Sequence, residues 1–456
     1  MTLRADNYNQ ELWQDSTVKS YLEELKTLIG MKSIFAQKIG LEEVADYLGQ
    51  LFKKAGAQVL VDKTFMAPFV IAEFKSSKPN AKTLIFYNHY DTVPADSDQV
   101  WTSDPFTLAI RDGIMYGRGV DDDKGHITAR LTAVMRYLQK HEDLPINIIF
   151  MMEGAEESAS VDLDKYLTKY QDKLKHADLL IWEQGIRNER DQLELTGGNK
   201  GILTFDMAVK SAASDLHSKF GGVVDSATWY LIEAIASLRD SEGNLLVPAI
   251  LEALKVPSQR EMDLVGHYAT EDAEGLKALH GLSLPLLEED RQAFLQRYYF
   301  QPSVTIQGLS SGYLGSGVKT IIPADAWAKM EVRLVPGLEP KKVFAAIGNY
   351  LKEKGFDQVE LTYTLGEKSY RSDLSAPEIG RLIKIIVDNY PGGVCLLPTS
   401  AGTGPMYSVF EVLEVPMVSL GLGNANSSDH SGDENVLIAD YLNHITLIEE
   451  FIKSYE

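Results

Sequence analysis

A single cysteine, Cys395, stands in a chain of 456 residues. One thiol excludes an intrachain disulfide and fits a reducing compartment. Long apolar runs are also missing: no stretch of about 18 apolar residues occurs, so nothing reads as a membrane-spanning helix. The first residues, Met1-Thr2-Leu3-Arg4-Ala5-Asp6, hold no apolar signal core, and the expectation is a soluble cytoplasmic protein. Basic residues are scarce, with 44 Lys and Arg against 65 Asp and Glu, for a formal net charge of −21. Such a surface argues against nucleic acid and anionic membrane as partners, and it suits a protein that holds cations. Internal repeats and low-complexity tracts are absent. What remains is an ordinary globular composition, 45% hydrophobic and 24% charged, in a chain long enough for two or three domains.

Apolar spacing predicts helix over 16–54, then short strands at Gln58–Val61, Val70–Phe74 and Thr83–Tyr87. A helix over Lys124–Gln139 follows, then apolar strands at Ile146–Met151 and Leu179–Trp182. Strands alternating with helices imply a mixed or mostly parallel α/β sheet flanked by helices. The character changes near residue 199. Strands at Leu203–Val209, Val304–Ile306, Thr320–Ile322, Trp327–Val335 and Val359–Tyr363, with helices at Ser226–Leu238 and Pro340–Lys354, suggest a smaller α+β domain inserted into the first. Residues 240–300 are acidic, helical and loop-rich, and carry no legible motif. The α/β pattern resumes with helix Pro377–Asn389, strand Val415–Ser419 and helix Ile438–Ile452. The expected division is 1–200 and 375–456 for a catalytic domain, with 201–374 inserted.

Polar residues gather where the strands end, which is where open α/β sheets bind ligands. Glu156 and Glu157 follow the strand that starts at Ile146. Two adjacent ionised carboxylates repel unless a cation lies between them, although alone the pair reads equally as a solvated acidic turn. His89 and Asp91 follow Thr83–Tyr87; a carboxylate two residues on can fix the tautomer of a ligating imidazole, but alone His-x-Asp is more often structural. Asp121, Asp122 and Asp123 close the glycine-rich approach from Gly117 and open a helix, where capping is the simpler use. Glu183 ends the strand Leu179–Trp182. Ser427 to Glu434 is a polar loop that supplies His430. Together two imidazoles and several carboxylates suit two ions, with one carboxylate bridging. Zinc leads, with cobalt or manganese as alternatives. Gly312 to Thr320 imitates a phosphate-binding loop, but Val318 separates the last glycine from Lys319 and the pattern fails.

Five motifs, in order, resemble the co-catalytic di-zinc exopeptidase and acylase family of carnosinase, cytosolic nonspecific dipeptidase, aminoacylase, glutamate carboxypeptidase and succinyl-diaminopimelate desuccinylase. They are His89-Tyr90-Asp91, Trp101 with Asp104-Pro105-Phe106, Gly117 to Gly125, Glu153-Gly154-Ala155-Glu156-Glu157, and His430 with Glu434. The resemblance covers nearly the whole chain. It implies a zinc-exopeptidase-like α/β fold with an inserted ferredoxin-like α+β dimerisation or lid domain. It makes His89, Asp122, Glu157, Glu183 and His430 the metal ligands, with Asp122 bridging and the Asp122–Asp123 peptide cis. It makes Glu156 the general base and Asp91 the residue that orients His89. In the inserted domain, His217 would help to stabilise the oxyanion across a homodimer. Arg333, Gly402 and Thr403 would bind the substrate carboxylate.

The implied activity is hydrolysis of an amide bond in a dipeptide or short peptide with a free C-terminal carboxylate. Deacylation of an N-acyl amino acid is the alternative, and a non-catalytic binding protein on the same fold the remote one. Two departures bear on the substrate. Glu183 stands where the dipeptidase branch usually has Asp, and Ser400-Ala401 precede the glycine-rich loop where Arg-Glu is usual.

Overall fold

The computed structural model describes residues 8–96, 99–183 and 185–456. The opening residues, read above for a signal core, lie outside them. The chain folds as two compact units: Met1–Gly197, Ser372–Pro398 and Ser408–Glu456 form one, Gly198–Arg371 and Thr399–Tyr407 the other.

The first unit is built on a six-stranded sheet in the order Gln58–Asp62, Phe69–Phe74, Asn147–Glu153, Thr83–His89, Leu179–Trp182, Met417–Ser419. The first two pairings are antiparallel and the remaining three parallel. The inner strands are apolar along nearly their whole length because both faces are covered, as buried parallel strands require. Helices Ser16–Gly30, Lys124–Lys140 and Ile438–Lys453 pack together, and Leu41–Lys54 packs on the first two strands. Arg130, on the helix Lys124–Lys140, donates to the carbonyls of Tyr87 (2.8 Å), Trp182 (2.8 Å) and Leu420 (3.1 Å). One buried guanidinium thereby ties together the C-terminal ends of three neighbouring strands.

The second unit is an antiparallel sheet in the order Ser303–Ser311, Asp325–Leu334, Asn199–Lys210, Glu360–Glu367. Helices Ala227–Ala236 and Pro340–Glu353 complete a β-α-β-β-α-β chain order, the ferredoxin-like arrangement. Alternate residues of the two central strands, among them Leu203, Phe205, Met207, Ala328, Met330 and Val332, face those helices and form the core. The short strand Ser400–Thr403 pairs in parallel with the start of Asn199–Lys210.

Several expected boundaries move. The helical stretch 16–54 is interrupted after Gly30, where Met31 turns extended, and resumes at Leu41. The strand expected to end near Met151 continues to Glu153, and the one expected to end at Tyr87 continues to His89. Polar residues at a strand's end still pair in the ladder when the neighbour is there to pair with. Residues 240–300 contain helices Pro248–Glu252, Gln259–Tyr268, Ala273–His280 and Arg291–Phe300. The expected phosphate-loop mimic lies between Ser303–Ser311 and Ile321–Ile322, with no helix after it. Strands Leu193–Thr196 and Val394–Leu397, paired in parallel, are too short for periodicity to find. The hairpin Ala109–Arg111/Ile114–Tyr116 did have a signal: Asp112-Gly113, both at positive φ, is a preferred two-residue hairpin turn.

Candidate metal centre

Parallel register brings the polar strand ends to one edge. His89 lies opposite Glu153, and Phe86 opposite Ile181, so His89, the turn after Glu153 and Glu183 all leave the sheet at its C-terminal edge. Glu156 and Glu157 then fall in a single 3-10 turn, Glu156–Ser158.

Asp91 organises that turn. Fully buried, it accepts from Glu156 N at 3.1 Å through Oδ1 and from Glu157 N at 3.2 Å through Oδ2. Its Oδ1 stands 3.4 Å from His89 Nδ1, and its main-chain oxygen 3.0 Å from the same atom. A proton on Nδ1 leaves Nε2 of His89 as the nitrogen with a lone pair to offer.

Asp122 lies between two imidazoles: Oδ1 is 2.8 Å from His89 Nε2 and Oδ2 is 2.9 Å from His430 Nε2. His430 Nε2 is also 3.0 Å from Glu157 Oε2. Asp122, Glu157 and His430 offer ligand atoms that all lie within 4.8 Å of one another, a group sized for one ion. The Asp122–Asp123 peptide is cis.

The electrostatics call for cations. Burial pushes the Glu156 carboxyl well above its usual range, with His89 opposing and Asp122 and Glu157 adding to the rise. Burial does the same to Glu183, with Asp123 adding. Hydrogen bonds to Asp122 and Glu157 outweigh burial and push His430 up to about 11. Burial would raise Asp122, but bonds from His430 and His89 hold it below the carboxylate range. Both oxygens of Glu183 are buried without a hydrogen-bond partner among the described residues. A buried carboxylate left so is costly unless it meets a cation. The donor set, two imidazoles with several carboxylates, is the kind a divalent ion takes, and the residues therefore fit one. Among the described residues Glu183 does not itself join a group of three within 4.8 Å; it stands in electrostatic reach of His89.

The remaining motifs hold this constellation in place. Glu434, fully buried, accepts from the main-chain N–H of Gly119 (3.0 Å), Asp121 (3.0 Å) and Asp122 (3.1 Å) and pairs with Arg118 at 2.7 Å. Gly119, at φ +87, makes the bend that turns these amides inward. Arg118 also reaches Ser431 O (3.0 Å), lies over Trp101, and donates its main-chain N–H to Pro105 O (2.7 Å). The tryptophan and Asp-Pro-Phe motifs are therefore supports for the aspartate loop.

In the second unit, Arg333 donates to Thr403 Oγ1 at 2.5 Å and pairs with Glu331 at 2.7 Å. Gly402 precedes Thr403 on the same short strand. His217 ends the two-residue strand Leu216–His217, is exposed, and accepts at Nδ1 from Lys219 N (3.1 Å). A neutral imidazole that accepts at Nδ1 carries its proton on Nε2 and presents a donor there. Sequence reading missed Lys200 and Asn199, which follow Gly197-Gly198. Lys200 is buried, and neither side-chain polar atom of Asn199 has a partner among the described residues.

The pattern of peptidase family M20/M25/M40 matches residues 85–454. The chain belongs to this family. The M20 family metallo-carboxypeptidase Sso-CP2 from Sulfolobus solfataricus, a crystal structure, is 31% identical, with TM-score 0.84 over 97% of this chain and 99% of that one. Beta-Ala-His dipeptidase of Mus musculus is 27% identical over 395 residues, 84% of this chain and 79% of its own. Cys-Gly metallodipeptidase DUG1 of Candida albicans is 28% identical over 408 residues, 86% of this chain and 82% of its own. The family membership that the five motifs implied thus holds over residues 85–454.

Proposed function

We propose that this M20 chain is a metal-dependent dipeptidase or carboxypeptidase acting on short peptides with a free C-terminal carboxylate. The observation that carries the reading is the convergence on Asp122 of His89 and His430, with Glu157 and a half-buried Glu156 beside them. Relatives named as dipeptidases and a metallo-carboxypeptidase support it.

Asp122 would bridge two ions, His89 and Glu183 completing one set, Glu157 and His430 the other. When bound, such ions polarise the scissile carbonyl and ease deprotonation of water; zinc fits the imidazole–carboxylate set best, with cobalt or manganese as alternatives. Glu156 takes the proton of the attacking water and returns it to the leaving amine. Burial gives it the proton affinity this needs. Asp91 keeps Glu156 and His89 in register. His217 supplies an Nε2–H donor for the oxyanion, and Arg333 with Gly402 and Thr403 seats the substrate carboxylate.

Glu156→Gln is expected to retain its metal content while turnover falls by at least about a hundredfold. Near wild-type rates in a metal-loaded variant would remove Glu156 from this role. Deacylation of N-acyl amino acids is the second reading, favoured by Glu183. Comparing dipeptides with N-acetyl and N-succinyl amino acids separates the two.

We further propose a homodimer formed through the second unit. Its edge strand Ser303–Ser311 leaves Ile306 and Leu309 half exposed, and the adjacent helix exposes Trp229. An unpaired apolar edge is a ready template for a second copy. With its single cysteine, the chain is assigned to the cytoplasm. Among the described residues no helix is long and apolar enough to cross a membrane.

A further inference from the structure

A cleft of about 470 Å³ opens in the second unit, lined at one part by Arg333 and Ala401 and therefore continuous with the proposed carboxylate seat. Three more cations line it: Lys200, Arg239 and Arg297. In a chain of net charge −21 this is a local reversal of sign.

Among the described residues none of the three makes an ion pair within 4 Å. Lys200, 5% exposed, donates to the main-chain oxygen of Gln301 at 2.8 Å. Arg297 donates to the main-chain oxygen of Glu242 at 2.9 Å and stands in electrostatic reach of Asp240. The exposed Arg239 has no side-chain partner among the described residues. Among the described residues Glu288 is the single acidic residue of the lining, and its Oε1 is turned to the amides of Glu289 and Asp290, each at 3.0 Å. No ion pair joins it to Arg239 or Arg297 among the described residues.

One substrate carboxylate is met by one guanidinium in a fork, with hydroxyl and amide donors beside it. Arg333, Thr403 and Gly402 already make that set. Lys200 and Arg239, which have no counter-charge among the described residues, call for a second anionic group on the same ligand, with Arg297 beside them. Leu287, Phe294 and Val304 give the cleft apolar walls, which suit the methylenes that would carry such a group.

We propose that this cleft binds an acidic side chain on the C-terminal residue of the substrate, so that peptides ending in Asp or Glu are preferred. The inference rests on the reading of Arg333 as the seat of the C-terminal carboxylate. Arg239 and Lys200 become the residues that determine specificity, since they offer charge that an amide side chain cannot use.

The test compares Ala-Glu with its near-isostere Ala-Gln. Binding is measured by calorimetry on metal-loaded Glu156→Gln protein, and turnover on metal-loaded wild type. Ala-Glu is expected to bind about tenfold or more tightly, the scale of a hydrogen-bonded charge pair, and to show the advantage in KM. Arg239→Gln, a surface substitution, should bring the Ala-Glu to Ala-Gln ratio close to one. Lys200→Gln should lower it as well, and an unchanged thermal transition identifies variants that remain folded. Equal affinity for the two dipeptides, or a ratio that survives Arg239→Gln, overturns the proposal. Selective binding of Ala-Glu with no hydrolysis by wild type would uphold the cleft and overturn the hydrolase reading, so the two fail separately.

Discussion

Asp91 performs two tasks with one carboxylate. It holds the amides of Glu156 and Glu157 and stands against Nδ1 of His89. The nearness of Asp91 to His89 was legible from two-residue spacing; the hold on the glutamate turn was not, since the two segments lie 65 and 66 positions apart. Lys200 was not legible at all, because its burial and its neighbour Arg333 arise only in the folded chain. Those two causes, burial first, bring its pKa from 10.5 down to about 8. The sign follows from linkage. The fold favours the neutral amine, so the stabilisation is fully present above the unfolded value and is lost as pH falls through about 8. Urea midpoints should fall between pH 10.5 and 8 more steeply in wild type than in Lys200→Met. For function the direction reverses: KM should rise above pH 8, where the anion's partner loses its charge, and Lys200→Met should lack that limb. Parallel profiles for the two proteins would contradict the assignment.

At the scale of elements, the strand ends were readable because each is a short apolar run closed by polar residues. The clamp that aims the aspartate loop was not. Arg118 and Glu434 are 316 positions apart, and the motif carried them as names without a function. Their geometry assigns one. Glu434 gathers three amides of the loop that carries Asp122, while Arg118 reaches back to the carbonyl beside His430. One buried pair thus positions two of the proposed ligands, Asp122 and His430. Glu434→Gln removes a charged acceptor and turns an amide N–H toward main-chain donors. Metal affinity should fall by roughly 10–100-fold, the usual cost of losing a residue that orients a ligand. Competition with a chromophoric chelator measures it. Recovery of turnover at high metal concentration separates misplaced ligands from a lost catalytic group, and an unchanged affinity would show that the clamp is only structural.

At the scale of the whole molecule, buried carboxylates without counter-charges make stability depend on ions. Metal removal by a chelator should lower the thermal midpoint. At a free concentration of one hundred times Kd, the bound ion is worth roughly 2.7 kcal/mol, and readdition should restore the transition. A midpoint unmoved by complete metal removal would deny the ions any hold on the fold. Leu309→Asp on the exposed edge should convert the proposed dimer to a monomer by light scattering at micromolar concentration; a wild-type monomer would end that proposal. The sequence by itself determined the kinds of element, the α/β class and the residue types for metal chemistry. These are local properties: an apolar run, its period, and the polar residues that close it. Only the tertiary structure decided that Asp122 turns one oxygen to each imidazole, that the Glu183 carboxylate has no hydrogen-bond partner among the described residues, and that four cations line one cleft. Those facts depend on strand register and on contacts between distant segments, which no local pattern encodes.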